Sequence, residues 1–173
     1  MAAGSTYTPI ATNTLSSAQA SVTFSSLGSY TDLVLVIGSA TFTADSSLYL
    51  QYNGDTGTNY SSTRLYGNGN GTSALSTRQS NVNGANIGAG DGMSASVMQT
   101  CIVQIQNYSN STTYKTAIAR WSRSDLEVSE TVSLWRNTAA ITSIEVYGGF
   151  GNGTKNSNMK TGTTLTLYGI AAA

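Results

Sequence analysis

The stretch Ser47–Gly69, SLYLQYNGDTGTNYSSTRLYGNG, carries the clearest structural pattern in the chain. In its first six residues Leu48 and Leu50 alternate with Tyr49 and Gln51, which is typical of a strand with one buried face. The alternation stops at the turn-forming residues NGDTG and resumes after them. The stretch therefore predicts a β-hairpin.

Turn chemistry accounts for the polar residues that crowd this stretch. Asn53 and Gly54 tolerate positive φ, Asp55 can accept hydrogen bonds from amides two residues on, and Gly57 can adopt a left-handed or bulged conformation. Arg64 can reach Asp55 or a backbone carbonyl of a partner, and we expect a structural hydrogen bond rather than ligand binding. No bound ligand is needed to explain the stretch.

Short segments bounded by Gly, Asn, Asp or Ser repeat the strand pattern along the chain. Leu33–Ile37 is continuously apolar, which predicts a central strand covered on both faces, by an N-terminal arm or a neighbouring subunit. No long segment shows a helical stripe, and Ser122–Glu130 is expected to be a single turn. An all-β fold follows: a two-sheet β-sandwich, with a jelly roll as one form of it, of about nine strands. The predicted strands are Ala20–Phe24, Asp32–Ser39, Ser47–Tyr52, Ser62–Tyr66, Ser94–Gln106, Thr113–Trp121, Glu130–Trp135, Thr142–Tyr147 and Thr163–Ile170.

The length of 173 residues fits a single domain with its own core. Residues 1–18 form a polar stretch with little to bury and are predicted to be an extended N-terminal arm, so that residues 19–173 make up the domain. The segment Gly67–Gly92 is rich in Gly, Asn and Ser, and we expect a long variable loop that carries one short strand near Ser73–Arg78.

The residues of common enzymatic sites are missing from this chain. It has no histidine, which excludes Ser-His-Asp and Cys-His catalysis. Its single cysteine, Cys101, lies in an apolar run and is expected to be a core residue. The glycine clusters lack the order G-K-[ST] of a phosphate-binding loop. We predict a protein that is not an enzyme and has no cofactor.

The charges are few and scattered. The formal net charge is zero and only 9% of residues are charged, so nucleic-acid binding is not expected. The cluster Asp125, Glu127 and Glu130 lacks the spacing of a calcium loop, and no metal site is predicted. A calcium site built from distant loops and a glycosidase carboxylate pair remain open alternatives. No signal-peptide pattern or membrane-spanning run is present, so no membrane association is expected.

Four blocks of the sequence, in order, are similar to a domain of virion structural proteins from tailed bacteriophages, notably phages of cyanobacteria and marine bacteria. The blocks are Thr23–Ala40, Leu48–Gly69, Leu134–Val146 and Thr164–Ile170, and the region over which they occur, from Thr23 to Ile170, takes in most of the chain. The resemblance implies a β-sandwich displayed on the surface of the phage particle.

The resemblance and the absence of an enzymatic site lead us to expect a capsid decoration, or cement, protein that binds and stabilises the assembled head. Its partners would be the major capsid protein or other virion proteins, and we expect a homo-oligomer such as a trimer. Tyr7, Pro9 and Ile10 of the arm are the candidates for contact with the capsid or a neighbouring subunit.

The alternative is a protein of a tail fibre, baseplate or other adhesin that binds a glycan of the host surface. Aromatic rings can stack on sugars, and Tyr60, Tyr66 and Tyr108 are the candidates for such contacts. Trp121 and Trp135 also carry rings that could stack on a sugar, but both lie within strand patterns and are expected to pack in the core.

Overall fold

The computed structural model describes residues 6–69, 74–88 and 94–171, which form β-strands and no helix. No helix able to cross a membrane occurs in those ranges. Residues 1–5 of the predicted arm, and residues 70–73 and 89–93 of the predicted loop, lie outside the described residues. The strands are β1 (Tyr7–Thr14), β2 (Ser21–Ser25), β3 (Asp32–Ala40), β4 (Ser47–Tyr52), β5 (Tyr60–Asn68), β6 (Ala74–Val82), β7 (Ala85–Asn86), β8 (Gln99–Ile105), β9 (Lys115–Arg123), β10 (Glu127–Trp135), β11 (Ser143–Phe150), β12 (Thr154–Ser157) and β13 (Thr164–Ile170).

The strands form two antiparallel sheets, and the all-β, two-sheet prediction is confirmed. The larger sheet has eight strands in the order β1-β13-β3-β8-β9-β10-β5-β6. The smaller has five, in the order β12-β11-β4-β7, with β2 pairing with β11. The chain pairs in a nested way, β3 with β13, β4 with β11, β5 with β10 and β8 with β9. A jelly-roll connectivity stays a prediction.

The continuously apolar segment occupies an interior strand, as predicted. β3 lies between β13 and β8 in the larger sheet. Leu33, Leu35 and Ile37 point into the core and are fully buried, which stabilises the fold by about 2 kcal/mol for each side chain. On the outer face Val34 is buried and Val36 half-buried. β1, which contains residues 7–14 of the predicted arm, does not cover this face, because it lies in the same sheet, beyond β13.

The predicted hairpin between β4 and β5 is wrong. β4 pairs with β11 and β7 in the smaller sheet, whereas β5 pairs with β10 and β6 in the larger one. The tight turn itself is present: φ is positive at Asn53 and Gly54, and the Asp55 amide donates to the Tyr52 carbonyl at 2.9 Å. A tight turn can begin either a hairpin or a crossing between sheets, and here long-range pairing decides for the crossing.

Several strand ends also differ from the prediction. Most of Ser122–Glu130 belongs to β9 and β10, and only the residues between these strands form a turn. Residues 94–98 precede β8 and are not part of a strand. Three strands were not predicted: β1, whose residues were placed in the arm, and the short β7 and β12. β7 and β12 have too few residues for an alternation to be recognised.

Candidate functional site

The first candidate surface is β1, at the edge of the larger sheet. β1 pairs antiparallel with β13 from Tyr7 opposite Ile170 to Thr14 opposite Thr164, with a bulge near Pro9. Hydroxyl pairs reinforce this ladder, since the Oγ1 atoms of Thr14 and Thr164 lie 3.2 Å apart. No other strand among the described residues pairs with β1. One backbone edge of β1 therefore pairs with no strand in the part of the chain that the structure describes.

The three predicted contact residues of the arm all lie on β1. Tyr7 is exposed, and its ring meets Tyr168 edge-on with the centroids 6.3 Å apart. Pro9 is exposed, whereas Ile10 is half-buried and packs against the core. Tyr7 and Pro9 are thus accessible from outside and Ile10 only in part. Contact of these residues with a capsid or a subunit stays a prediction.

The second candidate surface is the outer face of the larger sheet across β8, β9, β10 and β5. It exposes four large apolar side chains: Ile102 is 48% exposed, Val132 49%, Val128 62% and Leu65 63%. Scattered exposed apolar residues are normal in globular proteins. These four share one face of four adjacent strands, however, and an exposed apolar surface of this kind can mark an interaction site.

A groove with a volume of about 700 Å³ opens on this face. The outward side chains that line it include Val36, Leu65, Ile102 and Val128, and it ends at the Gly67–Ala74 side of the β5–β6 pair. Its lining is mainly apolar, which suits a protein or other apolar partner better than a charged ligand.

One ion pair lies in the middle of this face. Arg120 of β9 and Glu130 of β10 are directly opposite in the ladder, and Nε of the arginine lies 3.7 Å from Oε1 of the glutamate. Both side chains are more than half exposed, so within one chain the pair contributes little stability. At the outward positions of β5, β8, β9 and β10, which are described in full, these are the only charged residues.

Sequence reasoning missed this face because β10 reverses the usual pattern. Ser129, Thr131 and Ser133 point inward and are buried, whereas Val128 and Val132 point outward. Alternation shows that a strand has two different faces, but it is the side chains that indicate which one is buried. In EVSETVSLW the valines alone would suggest the wrong face, whereas Trp135, which was predicted to lie in the core, indicates the face that is buried.

The three tyrosines predicted to contact a glycan are buried, and this prediction is corrected. The Tyr60 hydroxyl donates to the Asp55 carbonyl at 3.1 Å, and that of Tyr108 donates to the Gly28 carbonyl at 2.7 Å. Tyr66 is buried beside Arg64. Because all three rings are buried, none of them can stack on a sugar.

Both tryptophans pack in the core, as predicted. The Trp121 indole donates to Gln99 Oε1 at 3.1 Å. Trp135 stacks on Tyr60 with the ring centroids 6.4 Å apart and contacts Tyr52 at 5.5 Å. This aromatic cluster closes one end of the space between the sheets.

Arg64 has the structural role that we expected. Its side chain is buried on β5, its Nη2 donates to Thr77 Oγ1 at 2.9 Å, and its guanidinium carbon lies 5.2 Å from the centre of the Tyr66 ring. The arginine thus connects β5 to β6.

The carboxylates of SDLEVSE do not converge on a metal-binding position. Asp125 bonds Arg123 at 2.7 Å, Glu127 is buried, and Glu130 faces outward beside Arg120. Within the described ranges no group of three potential ligands could hold a metal ion.

Cys101 is a free, buried core residue, as predicted. Burial raises the pKa of its thiol, and the sulfur lies 3.2 Å from the Ile87 carbonyl. Such a thiol is not an activated nucleophile.

Comparison of the chain with protein-family models and with curated proteins gives no match. What the protein binds is therefore inferred from its own surfaces, which are the free edge of β1 and the outer face of the larger sheet.

Proposed function

We propose that the protein is a structural component of a phage virion, and specifically a capsid decoration protein that binds the assembled head through β1. The sequence resemblance to virion proteins motivates the first part of this proposal. The second part, attachment through β1, rests on the position of this strand. β1 is uncharged and lies at the edge of the larger sheet, where one of its backbone edges pairs with no strand of the described residues.

An edge strand of this kind suits attachment to another protein. Its free N–H and C=O groups can pair with an extended segment of a partner, which gives affinity without charge complementarity. Six of its eight side chains are exposed, so little of it is committed to the core. Pro9 lacks an N–H and interrupts the edge, which limits uncontrolled pairing between copies.

Binding in many copies would stabilise the shell by mass action. A protein that binds the assembled head, and not its free subunits, shifts the equilibrium toward the assembled state. An uncharged contact also makes such binding insensitive to salt, because screening weakens only charge interactions.

The test is binding of the full chain to heads that lack it. Ala11→Asp combined with Asn13→Asp places charge on exposed positions of β1, and we expect binding to fall at least about tenfold. Ser76→Asp combined with Ser80→Asp places the same charge on β6, at the opposite edge of the same sheet, and should leave binding unchanged. Thermal unfolding of each variant checks that the fold is kept.

Two results would count against the proposal. Equal binding by the β1 variant and the β6 variant would exclude β1 as the attachment surface. Binding of the wild-type protein to host cells or to a glycan panel, with none to heads, would exclude a decoration role and favour the adhesin alternative.

A further inference from the structure

The reversed orientation of β10 requires a physical explanation. The strand buries three hydroxyl side chains, Ser129, Thr131 and Ser133, and exposes Val128 and Val132. It therefore loses part of the apolar burial that stabilises a sandwich. Trp135 on the same strand is buried and fixes this facing, so in a lone molecule both valines stay in water. The arrangement becomes favourable if another surface covers the outer face.

The outer face has an approximate internal symmetry about the line between β9 and β10. One ladder row reads Ile102, Arg120, Glu130 and Leu65 across β8, β9, β10 and β5. From the midline outward, each side of this row has a charged residue followed by an apolar one. The charges on the two sides are opposite.

We propose that the outer face of β8, β9, β10 and β5 is a homodimer interface, in which two copies pack sheet against sheet. The two-fold axis lies in the interface, roughly along the strands, between β9 and β10. Such an axis places β9 of one copy over β10 of the other, and β8 over β5. The occupant of the groove is therefore a second copy of this chain.

The charges support this occupant. Under the two-fold axis Arg120 lies opposite the partner's Glu130, and Glu130 opposite the partner's Arg120. The pair within each chain becomes a network of four alternating charges, partly withdrawn from water. A network of this kind is worth more than an exposed pair and also fixes the register of the two copies.

The apolar residues match in the same way. Ile102 lies opposite the partner's Leu65, and in the next row Ile118 lies opposite the partner's Val132, since Ile118 and Val132 are paired across the β9–β10 ladder. Val128 lies opposite the partner's Ser122, so three of the four exposed apolar side chains contact apolar ones in the partner. Thr63 and Gln104 lie at the margins of the row of Ile118 and Val132 and give the interface a polar rim, which is usual for protein interfaces.

The size of the face sets the expected affinity. Four strands of this length cover roughly 20 Å by 25 Å, so the dimer buries on the order of 1,000 Å² in total, near the lower limit for a specific interface. We therefore expect a dissociation constant in the micromolar range. Neither β1 nor a capsid enters this inference, so it stands or falls independently of the proposed function.

Sedimentation velocity on the full chain, from about 1 µM to about 500 µM, tests the dimer. Arg120→Glu or Glu130→Arg alone brings like charges together across the axis and should raise the dissociation constant at least about tenfold. The double variant R120E/E130R restores alternating charges and should recover association. Lys155→Glu disrupts an exposed ion pair on the smaller sheet and should not change association.

Cross-linking tests the geometry separately. In a variant that combines Leu65→Cys and Ile102→Cys, the two cysteines of one chain lie about 14 Å apart, because three strand spacings separate them. In the dimer, the cysteine at position 65 of each chain lies opposite the cysteine at position 102 of the other chain. A short bismaleimide should therefore link two chains. A control variant with the cysteine pair at other positions, Ser76→Cys and Thr12→Cys, should not give a linked dimer.

A chain that stays monomeric over the whole concentration range would overturn the proposal. So would association unaffected by R120E, or a double variant that remains monomeric although it unfolds at the same temperature as the wild type. A different protein or an apolar small molecule that binds this face of a strictly monomeric chain would identify another occupant and equally overturn it.

Discussion

Trp135 donates its indole N–H to Oδ2 of Asp55 at 2.7 Å, across 80 positions of sequence. The same carboxylate accepts the Gly57 amide at 2.8 Å and the Asn59 side-chain amide at 2.9 Å. Trp135 belongs to β10 in the larger sheet, and Asp55 follows β4 of the smaller one. This carboxylate therefore holds the crossing segment in shape and attaches it to the opposite sheet.

Asp55→Ala should destabilise the protein. The substitution leaves the indole N–H of the buried Trp135 without its acceptor and removes both bonds within the segment, so we expect a loss of about 1–3 kcal/mol in the free energy of unfolding. Urea unfolding followed by tryptophan fluorescence measures it. Glu130→Ala, which breaks the exposed Arg120–Glu130 pair, is the control and should cost under about 1 kcal/mol at submicromolar protein concentration. Equal losses in the two variants would refute the role given to Asp55.

Acid should weaken the fold partly through Asp55. Partial burial alone would raise the pKa of this carboxyl, but hydrogen bonds from Trp135, Asn59 and Gly57 bring it below the ordinary value of 3.8. A carboxyl whose pKa is lower in the folded state than in the unfolded state stabilises the fold at pH values above its unfolded-state pKa. This contribution is lost as the pH falls through the folded-state pKa. The free energy of unfolding should therefore fall below about pH 4.

The matched variant for this effect is Asp55→Asn, which cannot titrate. Its stability should depend less on pH in the acid range than that of the wild type. Some dependence should remain, because the pKa of Glu145 is also lowered: burial opposes the shift, and bonds from Lys155 and Ser21 cause it. Identical acid profiles for the variant and the wild type would show that Asp55 does not contribute.

Gly169 should not tolerate a side chain. A Cβ at this position would overlap the ring of Tyr30, which packs directly on the glycine. Gly169→Ala should cost about 1–3 kcal/mol through overpacking. Gly67→Ala is the control, because a Cβ there meets nothing within 4 Å, and it should be neutral or slightly stabilising. Thermal unfolding of the two variants gives the comparison, and equal melting temperatures would contradict the packing argument.

The sequence predicts the strands of this fold better than their partners. The bounds of β4 were predicted as found, because alternation and turn residues are local properties. That β4 and β5 belong to different sheets could not be predicted, since the turn at Asn53 and Gly54 is compatible with either outcome.

The surface was harder to predict than the strands. Tyr60 combines an apolar ring with a polar hydroxyl, and only the position of the Asp55 carbonyl shows that the ring can be buried. The outward face of β10 follows from the burial of Trp135, because alternation along the strand then turns Val128 and Val132 outward. A reversed strand pattern of this kind is informative only after the fold is known.

Cys101 should be unreactive in the native protein. Its thiol is buried between the sheets, and burial raises its pKa, so that almost no thiolate is present at neutral pH. An aromatic disulfide reagent should therefore label no thiol in the folded chain and one per chain after unfolding in guanidinium. Since reaction then requires opening of the core, the labelling rate should increase in proportion to the population of open molecules, and Asp55→Ala should accelerate it. Fast labelling of the wild type without denaturant would show that the strands β3, β8 and β9 around this thiol open far more readily than their burial implies.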